Sequence, residues 1–303
     1  MFFRNLTFFR FPTSLARSFD ELETLLDACR LKPVGPSELS SRGFISPFGR
    51  DEPLLSHRVG DGIWISLGGE DRLLPSSVVN DMLARKVAEI EEKEGRRPGG
   101  RARKRLKEDI VLELLPRAFV RPVRTGATID LEHGFIAVDT SSRKSAENLV
   151  SELRHALGSF PALPLNAETS VRALMTGWLA GEPLPPGLSL GDECELKDPV
   201  DGGAVVRCSK HELQSDEIRK HLESGKQATK LALVLDEHVS FVLGEDVIVR
   251  KLKFLDGAVE SLENTERDSL AAELDARYAL MAGELKRLFA VLEPALKLSR
   301  VEA

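Results

Sequence analysis

Two stretches of the sequence carry side chains that could do chemistry, and the first is acidic. Residues 192–197 (DECELK) place acidic side chains before a Glu-x-Lys triplet. In some nucleases such carboxylates hold Mg²⁺ while the lysine steadies the attacking water. That chemistry needs a buried strand and a further carboxylate, but a Gly/Pro-rich stretch and Asp198-Pro199 flank these residues. We therefore expect a solvated acidic loop and keep a magnesium-dependent nuclease as the alternative. Its residues would be Asp192, Glu193, Glu195 and Lys197.

The second stretch is strongly basic and indicates a polyanionic partner. Between Arg96 and Arg124 there are ten basic and three acidic residues, so the segment carries +7 within a chain of net charge −6. Charge segregated in this way can present one positive surface to a nucleic acid while the remainder stays acidic. Because no base-reading motif accompanies the segment, we expect phosphate contacts without sequence preference. The candidate DNA-binding residues are Arg96, Arg97, Arg101, Arg103, Lys104, Arg105, Lys107, Arg117, Arg121 and Arg124.

Other chemistries lack their sequence signals. There is no GxxxxGK[ST] loop, no strand-linked GxGxxG and no GxSxG, and the six histidines form neither HxH nor HExxH. These absences argue against ATPase, dinucleotide-binding and serine-hydrolase functions and against a structural zinc site, so we expect no cofactor and no metal. The odd number of cysteines (Cys29, Cys194 and Cys208) and the absence of CxxC predict buried or half-buried thiols in a reducing compartment. No apolar run approaches 18 residues, so no membrane span is expected.

The elements around the basic segment predict a projecting helical hairpin. Apolar residues recur at helical spacing from Val78 to Ile90, and a second helix is predicted from Arg101 to Leu115 before Pro116. Residues 95–100 (GRRPGG) form the tip between the two helices. Such an αα-hairpin would be an arm with a cationic end, although a solvated hairpin without function remains possible on sequence alone.

The remaining elements predict an α+β protein with antiparallel sheets. Strands occur in pairs and triplets between separate helices, without the regular alternation of a parallel sheet. The stretch 181–203 is predicted to be a loop-rich linker. With 303 residues and 42% apolar content the chain has material for a sizeable core. The predicted domains are a discontinuous central domain (1–75 and 116–165), a helical finger (76–115) and a C-terminal domain (166–303).

Several strings resemble the RdgC family of recombination-associated DNA-binding proteins. They span the chain in order and at near-constant spacing. The strings are residues 3–6 (FRNL), 73–76 (LLPS), 114–119 (LLPRAF), 157–161 (LGSFP), 201–203 (DGG), 225–233 (GKQATKLAL), 252–254 (LKF) and 281–285 (MAGEL).

The resemblance implies a function and an assembly. It implies a curved, multi-lobed subunit with an α-helical finger, closed into a ring-shaped homodimer in the cytoplasm, associated with the nucleoid. The ring would encircle double- or single-stranded DNA without sequence preference or catalysis, and restrain recombination by competing with RecA.

The resemblance also assigns roles to single residues. Phe119 is expected at the dimer contact and Lys210 at the DNA, with Lys226 and Lys230 as further DNA-binding candidates. The sequence departs from the family at His211, where relatives have glutamine. From the residues alone, a core position for Phe119 and an ordinary surface position for Lys210 stay open.

Overall fold

The computed structural model describes residues 2–49, 52–200, 203–263 and 270–299 and contains both helices and strands. None of the helices within these ranges is both long and apolar enough to span a bilayer. The strands are β1 (Thr7–Arg10), β2 (Ser40–Ile45), β3 (Ser56–Val59), β4 (Gly62–Leu73), β5 (Phe119–Asp130), β6 (Phe135–Val138), β7 (Leu163–Pro164), β8 (Leu188–Lys197), β9 (Val205–Ser209), β10 (Gln227–Leu235), β11 (Val239–Gly244) and β12 (Val249–Phe254). The α-helices are α1 (Leu22–Ala28), α2 (Ser76–Glu94), α3 (Gly100–Leu114), α4 (Arg143–Leu157), α5 (Val171–Leu179), α6 (Asp216–Glu223), α7 (Asp256–Glu263) and α8 (Leu270–Leu296), and 3-10 helices cover Thr13–Phe19 and Leu115–Arg117.

The chain divides into two compact units. The body unit comprises Met1–Leu26, Ser46–Ser66 and Thr125–Ala303. The finger unit comprises Asp27–Ile45 and Leu67–Arg124. Every one of the ten candidate basic residues between Arg96 and Arg124 therefore belongs to the finger unit, whereas Lys210, Lys226 and Lys230 belong to the body unit.

The body unit contains two groups of paired strands. In the first, β1 pairs antiparallel with β6 and β7, the end of β5 pairs with β6, and β3 pairs with the start of β4. The second is a five-stranded sheet in the order β12–β11–β10–β8–β9, again antiparallel, so β9 is an edge strand. The prediction of an α+β protein with antiparallel sheets is confirmed.

One face of the five-stranded sheet is buried against helices. Leu231, Leu233 and Leu235 alternate along β10 and enter the core. On α8, apolar side chains from Tyr278 to Leu292 recur three and four residues apart and belong to the same core. Because strand side chains alternate between faces, the opposite face is left to the polar residues of β8, β9 and β10.

The finger unit is built from a helical hairpin and three strand segments. The strand order there is β2–β4–β5, and α2 and α3 connect β4 to β5. Helix α2 starts after Pro75 and ends at Gly95, whose φ of 71° places it in the left-handed region that favours glycine as a C-cap. Val79 and Ile110 are buried in the hairpin, and Lys86 Nζ lies 2.8 Å from Glu113 Oε2. The two predicted finger helices are confirmed.

The predicted loop-rich linker at 181–203 is wrong, because Leu188–Lys197 forms strand β8 at the interior of the five-stranded sheet. An irregularity in the pairing with β10 explains the error. Leu190 pairs with Leu233 and Cys194 with Leu231, so three residues of β8 lie opposite Ala232 alone. This bulge interrupts the two-residue alternation by which a strand is recognised in sequence.

Gly43 is a position in the finger unit where only glycine fits. A Cβ atom at Gly43 would collide with the backbone of Leu31. We expect Gly43→Ala to lower the free energy of unfolding by about 1–3 kcal/mol, since neither backbone can yield without breaking their pairing. Gly283→Ala on α8 is the control, because its Cβ would meet nothing within 4 Å. Urea unfolding of both variants checks this, and equal effects would contradict it.

Candidate nucleic-acid interface

The ten predicted basic residues lie on four parts of the finger unit. Arg96 and Arg97 are in the loop between α2 and α3, and five more lie on the first two turns of α3. Arg117 closes the 3-10 turn after α3, while Arg121 and Arg124 are on β5. All ten side chains are exposed. The structure therefore brings the predicted cations to the surface of one unit.

Most of the cations at the tip are not neutralised. Arg97 Nε lies 2.7 Å from Glu91 Oε2, and Arg121 lies 3.4 Å from Asp71 Oδ2. Lys86, and to a lesser extent Arg117, lowers the pKa of Glu113. Of the seven cations in the loop and on α3, all but Arg97 have neither a hydrogen bond nor an ion pair from their side chains within the described ranges. These six, called here the free finger cations, are Arg96, Arg101, Arg103, Lys104, Arg105 and Lys107.

The free finger cations surround the start of α3. Arg101 and Arg105 are four residues apart on one side of the helix, and Lys104 and Lys107, three apart, lie about a third of a turn away around its axis. The first side borders an open cleft of about 660 Å³, which Arg96, Ile90 and Leu106 also line. Positive charge on two sides of a helix can neutralise phosphates approaching from more than one direction.

The charge pattern of α3 opposes the stability of the helix. The first turn contains no acidic side chain, although the positive end of the helix dipole lies there. Basic residues at this end are unfavourable for the helix but favourable for a bound anion. The cations therefore lie at the end of the helix where carboxylates would stabilise an isolated helix.

Arg72 on β4 fixes the region where the finger returns to the sheet. Its guanidinium donates hydrogen bonds to the carbonyl oxygens of Gly35 (3.2 Å), Leu115 (2.8 Å) and Ala118 (3.4 Å). These contacts hold the 3-10 turn and the residue just before Phe119. The start of β5 is thereby fixed in place by β4.

Phe119 is almost fully exposed. Its relative accessibility is 84%, and the next residue, Val120, is 41% exposed. A core position for Phe119, which the sequence alone left open, is therefore wrong for the single chain. A large aromatic side chain held at the surface by an ordered turn is available for contact with another chain.

The three candidate lysines of the body unit have separate surroundings. Lys210 is exposed directly after β9 and has a φ of 53°, unusual for a residue other than glycine. Lys226 Nζ lies 3.1 Å from Ser224 Oγ, and Lys230 Nζ lies 3.1 Å from Glu195 Oε2. These contacts do not join the three side chains into one group. Neighbouring His211 places Nε2 3.2 Å from Ser215 Oγ.

The nuclease-like residues lie on a strand, but cations already engage their carboxylates. Glu193 contacts Lys251 Nζ through both oxygens at 2.6 Å. Glu195 Oε2 lies 2.7 Å from Arg207 and 3.1 Å from Lys230. Asp192 is exposed, and Lys197 is at the end of the strand. Among the residues with described positions, no group of three or more His, Cys, Asp or Glu side chains could hold a metal ion.

The sequence alone did not reveal the two cations that pair with Glu195. Arg207 lies directly opposite Glu195 in the β8–β9 register, and Lys230 lies opposite it on β10. If β8 had been predicted as a strand, the opposite charges on neighbouring strands would have indicated these ion pairs. Once β8 was assigned to a loop, neither partner could be inferred.

Glu195 gives a testable dependence of stability on pH. Burial alone would raise the pKa of this carboxyl, but hydrogen bonds from Arg207, Lys230 and Thr229 outweigh it and lower the pKa to about 2. A folded-state pKa below the unfolded value stabilises the protein above about pH 4.5, and this contribution is lost as the pH falls toward 2. We expect Glu195→Gln to lower the free energy of unfolding by about 1–2 kcal/mol near neutral pH, because Arg207 is largely exposed.

The measurement is urea unfolding of the wild type and Glu195→Gln at neutral and acidic pH. The difference between the two proteins should shrink steadily below pH 4. Glu212→Gln is a suitable control, since Glu212 is exposed on the same unit. A wild-type advantage that is the same at pH 7 and pH 2.5 would contradict the assignment.

Comparison with known proteins gives matches over the full length of the chain. A family model described as "Putative exonuclease, RdgC" matches residues 1–299. A protein of Xanthomonas campestris pv. campestris (strain B100) named "Recombination-associated protein RdgC" is 69% identical over 304 residues, covering 100% of both chains. Proteins with the same name from Xanthomonas axonopodis pv. citri and Stenotrophomonas maltophilia are 68% and 62% identical over 303 residues, again covering 100% of both chains.

Proposed function

Because the chain belongs to the RdgC family of recombination-associated proteins, we propose that it is a non-enzymatic DNA-binding protein that restrains RecA-mediated recombination. It binds double- and single-stranded DNA without sequence preference and encircles the DNA as a ring-shaped homodimer. By occupying DNA it keeps RecA from the same strands, and it is expected in the cytoplasm, associated with the nucleoid.

The observation that carries the DNA-binding proposal is the set of free finger cations. Cations that are already paired with carboxylates give little net attraction to a phosphate, whereas Arg96, Arg101, Arg103, Lys104, Arg105 and Lys107 are unpaired and exposed. Each can neutralise a phosphate and release a counterion. Because they lie on a loop and an exposed helix without a base-reading motif, the contacts are independent of sequence.

The homodimer is proposed to use Phe119 as an anchor. Truncating a buried aromatic anchor commonly costs about 2 kcal/mol or more at protein interfaces, and exposure of 84% makes Phe119 free to act as one. The hydrogen bonds of Arg72 to the preceding turn support this role because they limit the entropy lost on association.

An exonuclease is the competing function, since the matching family model carries that word in its description. The best candidate for such an activity is the Glu193 and Glu195 pair on β8. Both carboxylates are neutralised by Lys251, Arg207 and Lys230, so a cation would have to displace existing ion pairs. The geometry therefore favours binding without cleavage.

A mobility-shift titration tests the proposal. If the six free finger cations each neutralise one phosphate, the logarithm of the affinity for duplex DNA should fall by about 5 per tenfold increase in salt. Between 50 and 200 mM salt this corresponds to an affinity loss of about 10³-fold. Duplexes of equal length and different sequence should bind alike, with and without Mg²⁺.

The same reactions distinguish DNA binding without cleavage from nuclease activity. Shortened DNA in the presence of Mg²⁺, abolished by Glu195→Gln, would establish the nuclease instead. Salt-independent binding, or a strong preference for one duplex sequence, would also contradict the proposal.

A further inference from the structure

Two of the three cysteines lie directly opposite each other in the body unit. Cys194 on β8 and Cys208 on β9 are register partners in an antiparallel pair. Opposite residues in such a pair have Cα atoms about 4.5 or 5.5 Å apart, depending on the hydrogen-bonding position. Both values fall within the range of about 4.4–6.8 Å that disulfides span. The pairing thus brings two thiols together that are 14 positions apart in the sequence.

The two side chains also share one face of the sheet. Cys194 is 2% exposed and belongs to the hydrophobic core, and Cys208 is half-buried against that core. The sulfur atoms are close enough to interact: burial first, and then the neighbouring Cys208 thiol, raise the pKa of Cys194 to about 12. Cys194 is therefore held as a thiol, and the more accessible Cys208 is the better nucleophile.

We propose that Cys194 and Cys208 form a modification site, a reversible intramolecular disulfide that links edge strand β9 to β8 when the protein meets a peroxide. Cys29 lies in the finger unit and is not part of the site. The strand β9 carries Arg207 and leads directly into Lys210, so the disulfide would fix the edge that presents these two cations.

The reaction with hydrogen peroxide balances in two steps. The Cys208 thiolate attacks one peroxide oxygen, an S–O bond forms, the O–O bond breaks, and hydroxide leaves and takes a proton as water. Cys194 then attacks the Cys208 sulfenic sulfur, losing its proton as the S–S bond forms and the S–O bond breaks, and a second water leaves. Two thiols are oxidised and one peroxide is reduced. A dithiol reductant reverses the bond by thiol–disulfide exchange.

Strand geometry makes the bond easy to reduce. Side chains directly opposite in a sheet have Cβ atoms about 4.5–5.5 Å apart, slightly farther than the 3.5–4.5 Å that a relaxed disulfide prefers. Closing the bond must pull the edge strand inward, and strained disulfides are the more readily reduced ones. A reversible bond, rather than a permanent structural one, is therefore expected.

The test is a thiol count by mass spectrometry on the full chain. After treatment with a small excess of hydrogen peroxide, the protein is unfolded in the presence of an alkylating reagent and digested. We expect two of the three thiols to be lost to a Cys194–Cys208 linked peptide within one chain, and dithiothreitol to restore both. Three alkylated thiols, or linkage through Cys29 between chains, would overturn the proposal.

Three variants assign the order of the steps. Cys29→Ser should form the same linked peptide as the wild type. Cys194→Ser should accumulate a sulfenic acid at Cys208 that dimedone traps, because the resolving thiol is missing. Cys208→Ser should leave Cys194 fully alkylatable after unfolding. Equal dimedone labelling of Cys208 in the wild type and in Cys194→Ser would overturn the proposal, and the wild-type peptide map stands even if a variant fails to fold.

Discussion

Replacing the six free finger cations with glutamine is expected to weaken binding to duplex DNA by at least two to three orders of magnitude near 0.1 M salt. Each neutralised phosphate contributes about 0.9 to the slope of log affinity against log salt, which is about eightfold in affinity at 0.1 M. Even if only three of the six contact phosphates at one time, the loss is about 500-fold. The slope of log affinity against log salt should become shallower by about 0.9 for each phosphate contact that is lost. Fluorescence anisotropy across a salt series measures this slope.

The fold of the variant should be unchanged. The six side chains are exposed and have no partners within the described ranges, so their loss breaks no native contact. Glutamine also retains the helix propensity of the basic residues it replaces. The matched control removes six positive charges from exposed positions outside the proposed interface. The affinity of this control variant for DNA should change by less than about tenfold. Its substitutions are Arg17, Lys32, Arg58, Lys144, Arg219 and Lys220 to glutamine.

If the proposed restraint of RecA works by occupying DNA, inhibition of RecA strand exchange should fall in parallel with DNA binding. Intact DNA binding in the finger variant would instead mean that the cationic path uses Arg117, Arg121, Arg124, Lys210, Lys226 and Lys230. Lost inhibition with intact binding would mean that the finger contacts RecA itself. Either outcome contradicts simple competition for DNA through the finger.

The second large effect is expected from Phe119→Ala. If Phe119 anchors the dimer, its truncation should raise the dimer dissociation constant by about 30-fold, corresponding to about 2 kcal/mol. Stability of the single chain should change by less than about 0.5 kcal/mol, because the side chain is 84% exposed there. Analytical ultracentrifugation over a concentration series measures the first quantity, and thermal unfolding checks the second.

Leu163→Ala is the matched control for Phe119. Leu163 is also a large exposed apolar residue, at 58%, but lies on β7 in the body unit. Its truncation should leave the dissociation constant unchanged. A Phe119→Ala protein that dimerises as tightly as the wild type would show that Phe119 is only a surface residue.

The finger could be predicted from the sequence because its signals are local. Pro75, the glycines of the tip and Pro116 bound two runs of apolar residues at helical spacing, and the helices lie at 76–94 and 100–114. Helix ends depend on neighbours along the chain, so no tertiary information was needed. The clustering of positive charge was visible for the same reason.

The sequence could not show which of the candidate cations form ion pairs, because ion pairs depend on contacts between residues that are distant in the chain. Arg121 on β5 forms an ion pair with Asp71 on β4, and Lys230 on β10 forms one with Glu195 on β8. The bulge opposite Ala232 concealed β8 itself, and with it the pairing of Cys194 with Cys208. Strand registers across the sheet had to be known before these partners could be named.

Encirclement by a closed dimer is tested by comparing one plasmid in two topologies. The protein is bound at low salt to the covalently closed circle and to the same plasmid after linearisation, and both are then moved to about 1 M NaCl, where phosphate contacts are screened. A ring cannot leave a circle without opening but can slide off an end. We predict that the protein stays with the circle through gel filtration and is lost from the linear DNA. Equal loss from both forms would contradict a closed ring.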